Sequence, residues 1–239
     1  MRSRIRKQLI MKTALKNWKL KTRNRKLFTF LLCSLCCSNL LAQTKTIKPG
    51  FSQEKNFRVV NRNINLVYES QKTIVHLDGK PNDGVLWITN ASFEFGSIDF
   101  DVKGKDIMQQ SFVGIAFHGV DDSTYDVIYF RPFNFQSPDS LRKKHAVQYV
   151  SLPKYDWEIL RQKYTGVYEN TLTKNILPTE WFHATVVVEE NLIKVSVNGD
   201  KQPSLVVKPI SNIKKGKIGF WVGNNSDGDF ANLVIKSDK

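Results

Sequence analysis

The chain has 239 residues, with 36 Lys and Arg against 22 Asp and Glu, a formal charge of +14. Eleven of those basic residues, and no acidic one, fall in residues 1 to 42, so the remainder carries 25 against 22, a net +3. A nucleic-acid partner is set aside, because such binders keep their excess charge on the folded surface and the one basic run there, Arg142-Lys143-Lys144 before His145, has the composition of a solvated loop.

The basic head leads into Leu27 to Ala42 (LFTFLLCSLCCSNLLA), an apolar stretch shorter than the ~20 residues a spanning helix needs. A positive segment, a short apolar run and a small residue before Gln43 form the pattern of a secretory signal peptide, residues 1 to 42, with Met11 an alternative start. Export to the periplasm or beyond, and no membrane span after cleavage, are the expectations. Cys33, Cys36 and Cys37 all lie in this leader, so the mature chain has no cysteine. That excludes cysteine nucleophiles, thiolate zinc sites and disulfides, and leaves stability to a core that about 197 residues can supply.

Residues 43 to 56 are polar around Pro49-Gly50 and read as an exposed lead-in to one domain, 57 to 239. From Phe57 on, short apolar runs recur between turn signals: FRVV, INLVY, TIVHL and GVLWIT, then IDFDV, FVGIAFHGV, YDVIYF and AVQYV. The C-terminal part adds WFHATVVVE and LIKVSVN around the tight turn Glu190-Asn191, then LVV, GKIGFWV and FANLVI. Runs at this spacing without helical periodicity predict an all-β, antiparallel, two-sheet sandwich of jelly-roll type, with at most one short helix within Tyr155 to Lys163. Phe93 and Phe95 are out of phase with Ile98, Phe100 and Val102, which predicts a bulge or bend at Gly96-Ser97.

Several short motifs fall in a familiar order: Trp181-x-His183 opening one strand, Val195-x-Val197-Asn198-Gly199 closing the next, Gly216-x-Ile218-Gly219, and Phe230, Asn232, Val234 and Ile235 at the end. Upstream stand Gly114-Ile115-Ala116-Phe117-His118, Tyr125-Asp126-Val127 and the partial match Thr165-Gly166-Val167-Tyr168. In these the chain resembles the concanavalin A-like lectin/glucanase superfamily, in its laminin G-like and 3-keto-disaccharide-hydrolase-like branches. His118 stands where the latter branch has Arg. The resemblance spans residues 60 to 235 and implies a curved sheet holding a saccharide on its concave face, with calcium common among members.

Alternation within FVGIAFHGV puts Val113, Ile115 and Phe117 on the core side and Gly114, Ala116 and His118 on the other. Two small residues beside a His leave room for a ligand or for another packed segment. The expected ligand-binding residues are His118, Tyr129, Arg131, Gln148 and Trp157, the last a stacking platform for a sugar ring. Trp87, Trp181 and Trp221, in apolar strands, read as core. If the protein is an enzyme, a hydrolase or lyase acting on glycans, His118, Asp126 and Arg131 are the catalytic candidates. The laminarinase pattern Glu-x-Asp-x-x-Glu is absent: Asp99 and Asp101 share a strand face, but neither glutamate is there and Lys103 follows. The segments His145 to Tyr149 and Tyr164 to Tyr168 only partly echo alginate lyase motifs. No cofactor is expected; Asp227 and Asp229 are weak calcium candidates in a turn whose Asn, Asp and Gly also suit the backbone alone. A saccharide partner, a glycoside-cleaving activity and a non-catalytic adhesion module for the envelope remain open together.

Overall fold

The computed structural model describes residues 44–69 and 72–237; the predicted leader lies outside them. The chain forms two antiparallel sheets packed as a sandwich. The first sheet runs, edge to edge, β13 (Leu205–Val207), β12 (Leu192–Val197), β11 (Phe182–Glu189), β6 (Gly96–Lys103), β15 (Gly228–Ser237), β4 (Lys72–Leu77) and β3 (Ile64–Glu69), and β1 (Lys45–Ile47) also pairs with β15. The second sheet runs β10 (Glu169–Asn170), β9 (Val147–Leu152), β8 (Tyr125–Phe130), β7 (Val113–Gly119), β14 (Lys217–Val222), β5 (Gly84–Ile88) and β2 (Phe57–Val60).

Every strand predicted from apolar runs is present, and the period-two patterns sort the two faces. Phe182, Ala184, Val186 and Val188 of β11, Ile193, Val195 and Val197 of β12, and Ile98, Phe100 and Val102 of β6 are buried on the inner face of the first sheet. Ile115, Ile128, Tyr149 and Phe220 answer from the second sheet. Phe220 stacks on Phe230 with ring centres 4.6 Å apart, joining the sheets. The outer face of the first sheet carries the alternating polar set: His183 Nδ1 lies 2.8 Å from Asp101, and Thr185 donates to Asp99 at 2.8 Å. Asp99 and Asp101 are thus tied into a solvated strand face.

Three differences from the sequence reading have local causes. Part of the lead-in is built into the sandwich: β1 lengthens the first sheet, and Phe51 is buried against Phe220 at 5.7 Å. Among the described residues there are two short α-helices where at most one was expected. Besides α2 (Trp157–Lys163), the basic run falls in α1 (Ser140–Lys143), a single turn capped by Asp139, whose carboxylate accepts from the backbone N–H groups of Leu141 and Arg142. The expected break before β6 is present, since Gly96 has φ +127° and a Cβ there would stand 2.0 Å from the Lys236 carbonyl oxygen.

The third difference bears on function. Between β7 and β14 the register slips: Lys217 pairs with Gly119 but Gly219 with Ala116, so Phe117 and His118 together oppose Ile218. His118 takes φ +54° at this bulge. Gly216 accommodates the kink, because a Cβ there would come within 2.5 Å of the His118 and Gly119 backbone. The bulge resets the alternation and turns the His118 side chain inward, away from the face of Gly114 and Ala116.

Candidate functional site

The space expected above Gly114 and Ala116 exists, and aromatic rings form its floor. A Cβ on Gly114 would lie 2.1 Å from the Ile128 carbonyl oxygen and 2.8 Å from the Tyr129 Cβ, so glycine is what lets β7 and β8 close with Tyr129 on top. Trp221, registered opposite Gly114 on β14, meets the Tyr129 ring at 5.1 Å. Trp87, registered on Gly219, packs edge to face with Tyr125 at 5.5 Å. Loops at both ends of the strands wall this surface into a groove of about 960 Å³. Its lining includes Val85, Phe112, Tyr125, Tyr129, Arg131 and Trp221 on the floor, and Asp83, Asn134, Arg142, His145, Asp156, Trp157 and Arg161 on the walls.

Of the expected binding residues, Tyr129, Arg131 and Gln148 are brought together. The Tyr129 hydroxyl donates to Gln148 Oε1 at 2.8 Å, and the Arg131 guanidinium donates to the Tyr129 hydroxyl at 2.6 Å and also to Gln148 Oε1. Burial pushes the Tyr129 hydroxyl up to about 12, so it stays protonated and keeps its one proton on Gln148. Trp157 stands on the wall at the start of α2, 43% exposed, with the Arg161 guanidinium 5.2 Å from its ring centre. Asp156 caps that helix through the Trp157 N–H, which orients Trp157 toward the groove's rim.

His118 is not among them. Its Nδ1 lies 3.0 Å from Asp126 Oδ2, its Nε2 lies 2.8 Å from the Glu94 carbonyl, and its ring stacks on Phe93 at 6.0 Å. At 2% and 1% exposure, His118 and Asp126 form a buried pair on the core side of the sheet, while Arg131 stands on the groove side. The sheet itself separates the three catalytic candidates. Asp227 and Asp229 are also elsewhere, Asp227 paired with Lys105 and Asp229 2.7 Å from His76. Among the described residues, no group of three or more His, Cys, Asp or Glu side chains is placed to hold a metal ion.

Sequence reasoning missed two parts of the site. Trp221 is buried, as its apolar run implied, at 5% exposure, but what remains open faces the groove; its strand parity with Lys217 and Gly219 was the available signal. The other part is electrostatic and joins residues distant in sequence. Glu169 is 5% exposed, and its carboxylate accepts from Arg161 Nε at 3.2 Å and Nη2 at 2.9 Å; His145 Nδ1 stands 2.7 Å away and Arg131 Nη1 3.8 Å. Burial pushes this carboxyl up, but the Arg161 hydrogen bonds and charge, with His145 and Arg131, outweigh it and hold Glu169 below the usual carboxylate range.

Asp83 behaves in the opposite way. Burial, then repulsion from Asp156, push it up to about 6, against the pull of Arg62 and the Trp221 indole. A carboxyl raised from its unfolded value of 3.8 disfavours the fold once it ionises, so the penalty is absent below pH 4 and develops fully above pH 6. Asp83→Asn is therefore expected to raise stability at pH 8 by up to about 3 kcal/mol, each tenfold change in proton affinity being worth roughly 1.4 kcal/mol, with no gain at pH 4. Thermal melts of both proteins at the two pH values check this; equal gains in melting temperature at both would contradict it.

No family model matches the chain, and no curated protein matches it in sequence. Among solved structures, the chain is similar to the carbohydrate-binding module CBM66 from Bacillus subtilis, at 14% identity and a TM-score of 0.53 over 74% of this chain and 93% of that one. It is similar to a Bacillus subtilis protein of unknown function with a galectin-like fold, at 12% identity and a TM-score of 0.52 over 82% of this chain and 100% of that one. The Ca2+-bound exoplasmic/lumenal domain of VIP36 matches at 11% identity and a TM-score of 0.52, over 82% and 92% respectively. At these identities the likeness is one of fold, and the chain has the concanavalin A-like lectin/glucanase fold.

Proposed function

We propose that the protein binds a saccharide in the groove on the outer face of the seven-stranded sheet, and does so outside the cytoplasm once its leader is removed. The observation that carries this is the floor itself, where Tyr129 and Trp221 lie side by side with Arg131 and Asn134 at one end and Trp157 on the rim. Sugars present apolar ring faces to aromatic side chains and hydroxyls to fixed polar groups, and such a mixed, walled surface suits both. CBM66 is a carbohydrate-binding module by name, and VIP36 has been solved with Man3GlcNAc bound; both share this fold, which supports the reading. The leader is a matter of sequence alone, and among the described residues no helix is long and apolar enough to cross a membrane.

Trp157 tests the reading without disturbing the fold, being 43% exposed. On a broad glycan array the native protein is expected to retain at least one class of glycan. Trp157→Ala should lose at least ten-fold in affinity for it, about 1.4 kcal/mol, while melting within a degree or two of the native protein. A native protein that retains no glycan would end the proposal.

A second reading, glycoside cleavage, is favoured by one observation: two carboxyl groups, Asp83 and Asp156, share the groove, and burial raises Asp83 to about 6. A carboxyl in that range can give a proton to a leaving oxygen. Incubation with 3-keto-glycosides and with ordinary oligosaccharides would show released sugar that Asp83→Asn abolishes; no release from either set removes the enzyme reading and leaves binding.

A further inference from the structure

Charge is unevenly spread around the groove. Three guanidiniums line the side formed by the β8–β9 loop and α2: Arg131, Arg142 and Arg161. One carboxylate, Glu169, answers Arg131 and Arg161. Arg142 donates only to the Met108 sulfur at 3.0 Å and the Phe133 carbonyl at 3.5 Å, and no carboxylate of the described residues lies within ion-pair distance of it. His145 adds no charge at neutral pH, since burial lowers its pKa in spite of Glu169. Asp156, which caps α2 at the foot of Arg161, is a second carboxylate on this side, so three positive groups face two negative ones and leave an excess of one charge, at Arg142. The carboxylates Asp83 and Asp122 belong to the opposite side, ahead of β5 and beside β2, where Asp122 is already taken by Arg58.

A second feature sits among the three arginines. Asn134 is only 4% exposed and lines the same wall. Its amide N–H donates to the His145 carbonyl at 3.2 Å, which fixes the side chain and leaves Oδ1 without a partner. A buried acceptor of this kind costs free energy until a donor reaches it, and a sugar hydroxyl entering the groove is such a donor.

Resting on the saccharide reading, we propose that this wall recognises an anionic sugar: a carboxylate or sulfate bound by Arg142 with the Arg131–Arg161 pair behind it, and a neighbouring hydroxyl accepted by Asn134. The ligand class is then the acidic polysaccharides. An ionised group held by a fork of N–H donors makes shorter and stronger hydrogen bonds than neutral pairs do.

The test is calorimetric titration of the full protein with uronate polymers of several linkages, each against its carboxyl-reduced neutral form, and with dextran sulfate against dextran. At least one charged polymer is expected to bind ten-fold or more tightly than its neutral counterpart, less so at 150 mM salt than at 20 mM. Arg142→Gln should remove most of that preference, whereas Lys194→Gln, an equal loss of charge on the other sheet, should keep it. The uronate and sulfate arms tell which anion is read. Equal affinity for charged and neutral forms, or a preference that survives Arg142→Gln, overturns the proposal. Neutral glycans bound in a Trp157-dependent way without the acidic ones would overturn it and leave the saccharide reading standing; no binding in any arm sinks both.

Discussion

Glu169→Ala is expected to lower the stability of the domain by about 3–5 kcal/mol, the usual cost of removing one partner from a buried ion pair. For a domain of this size that is a fall in melting temperature of roughly 6–20 °C. The physical reason is local. Arg131 is 5% exposed, so without Glu169 its charge has only neutral partners, the Tyr129 hydroxyl, Gln148 Oε1 and the His145 carbonyl. Arg161, more exposed, can turn to water, and its loss from the wall would loosen α2 against β9. The sign with pH follows from the lowered carboxyl. Its stabilisation is complete above the ordinary value of 4.5 and is lost as acid protonates the native side chain, so the mutational penalty should shrink below that pH. Glu169→Gln, which keeps a hydrogen-bond acceptor, should recover part of the loss. Melting curves of both variants within a few degrees of the native protein would show that the network contributes little.

Asp126→Ala should produce a loss of similar size, about 3–5 kcal/mol, by a different route. Here the pair with His118 lies within the core, and the imidazole would keep the Glu94 carbonyl as its one polar partner. The diagnostic is the separation of stability from binding. Because the pair faces inward, the folded fraction of Asp126→Ala at low temperature should bind saccharide within about three-fold of the native affinity, well under the 1.4 kcal/mol of a ten-fold change. Denaturant unfolding supplies the first number and titration in the cold the second. A stable variant that no longer binds would return Asp126 and His118 to the site from which the bulge removes them.

That bulge marks where sequence reasoning ran out. Period-two alternation located β6, β11 and β12 to within a residue or two, because each has one face in the core and one in solvent. It also placed Gly114 and Ala116 on the groove side. It failed at His118, since one extra residue in β7 inverts the phase, and nothing in FVGIAFHGV says which residue will take φ > 0. The same limit applied to Trp221, whose strand is buried on both faces, so hydrophobicity no longer distinguishes core from groove floor. The Glu169 network was illegible for another reason. Its members lie on α2, β10 and the β8–β9 loop, and only the pairing of Glu169 with Gln148 brings the first two to the third. Charges that meet through sheet topology leave no spacing to read.

The central claim, that a glycan lies across the Tyr129–Trp221 floor, is tested most directly by a crystal structure of the protein with the best ligand from the array. A sugar ring stacked on Trp221 or Trp157, with hydroxyls within hydrogen-bond distance of Arg131 or Asn134, is the expected result. Glycan density on the Asp99–His183 face of the other sheet, with the groove left to solvent, would contradict it.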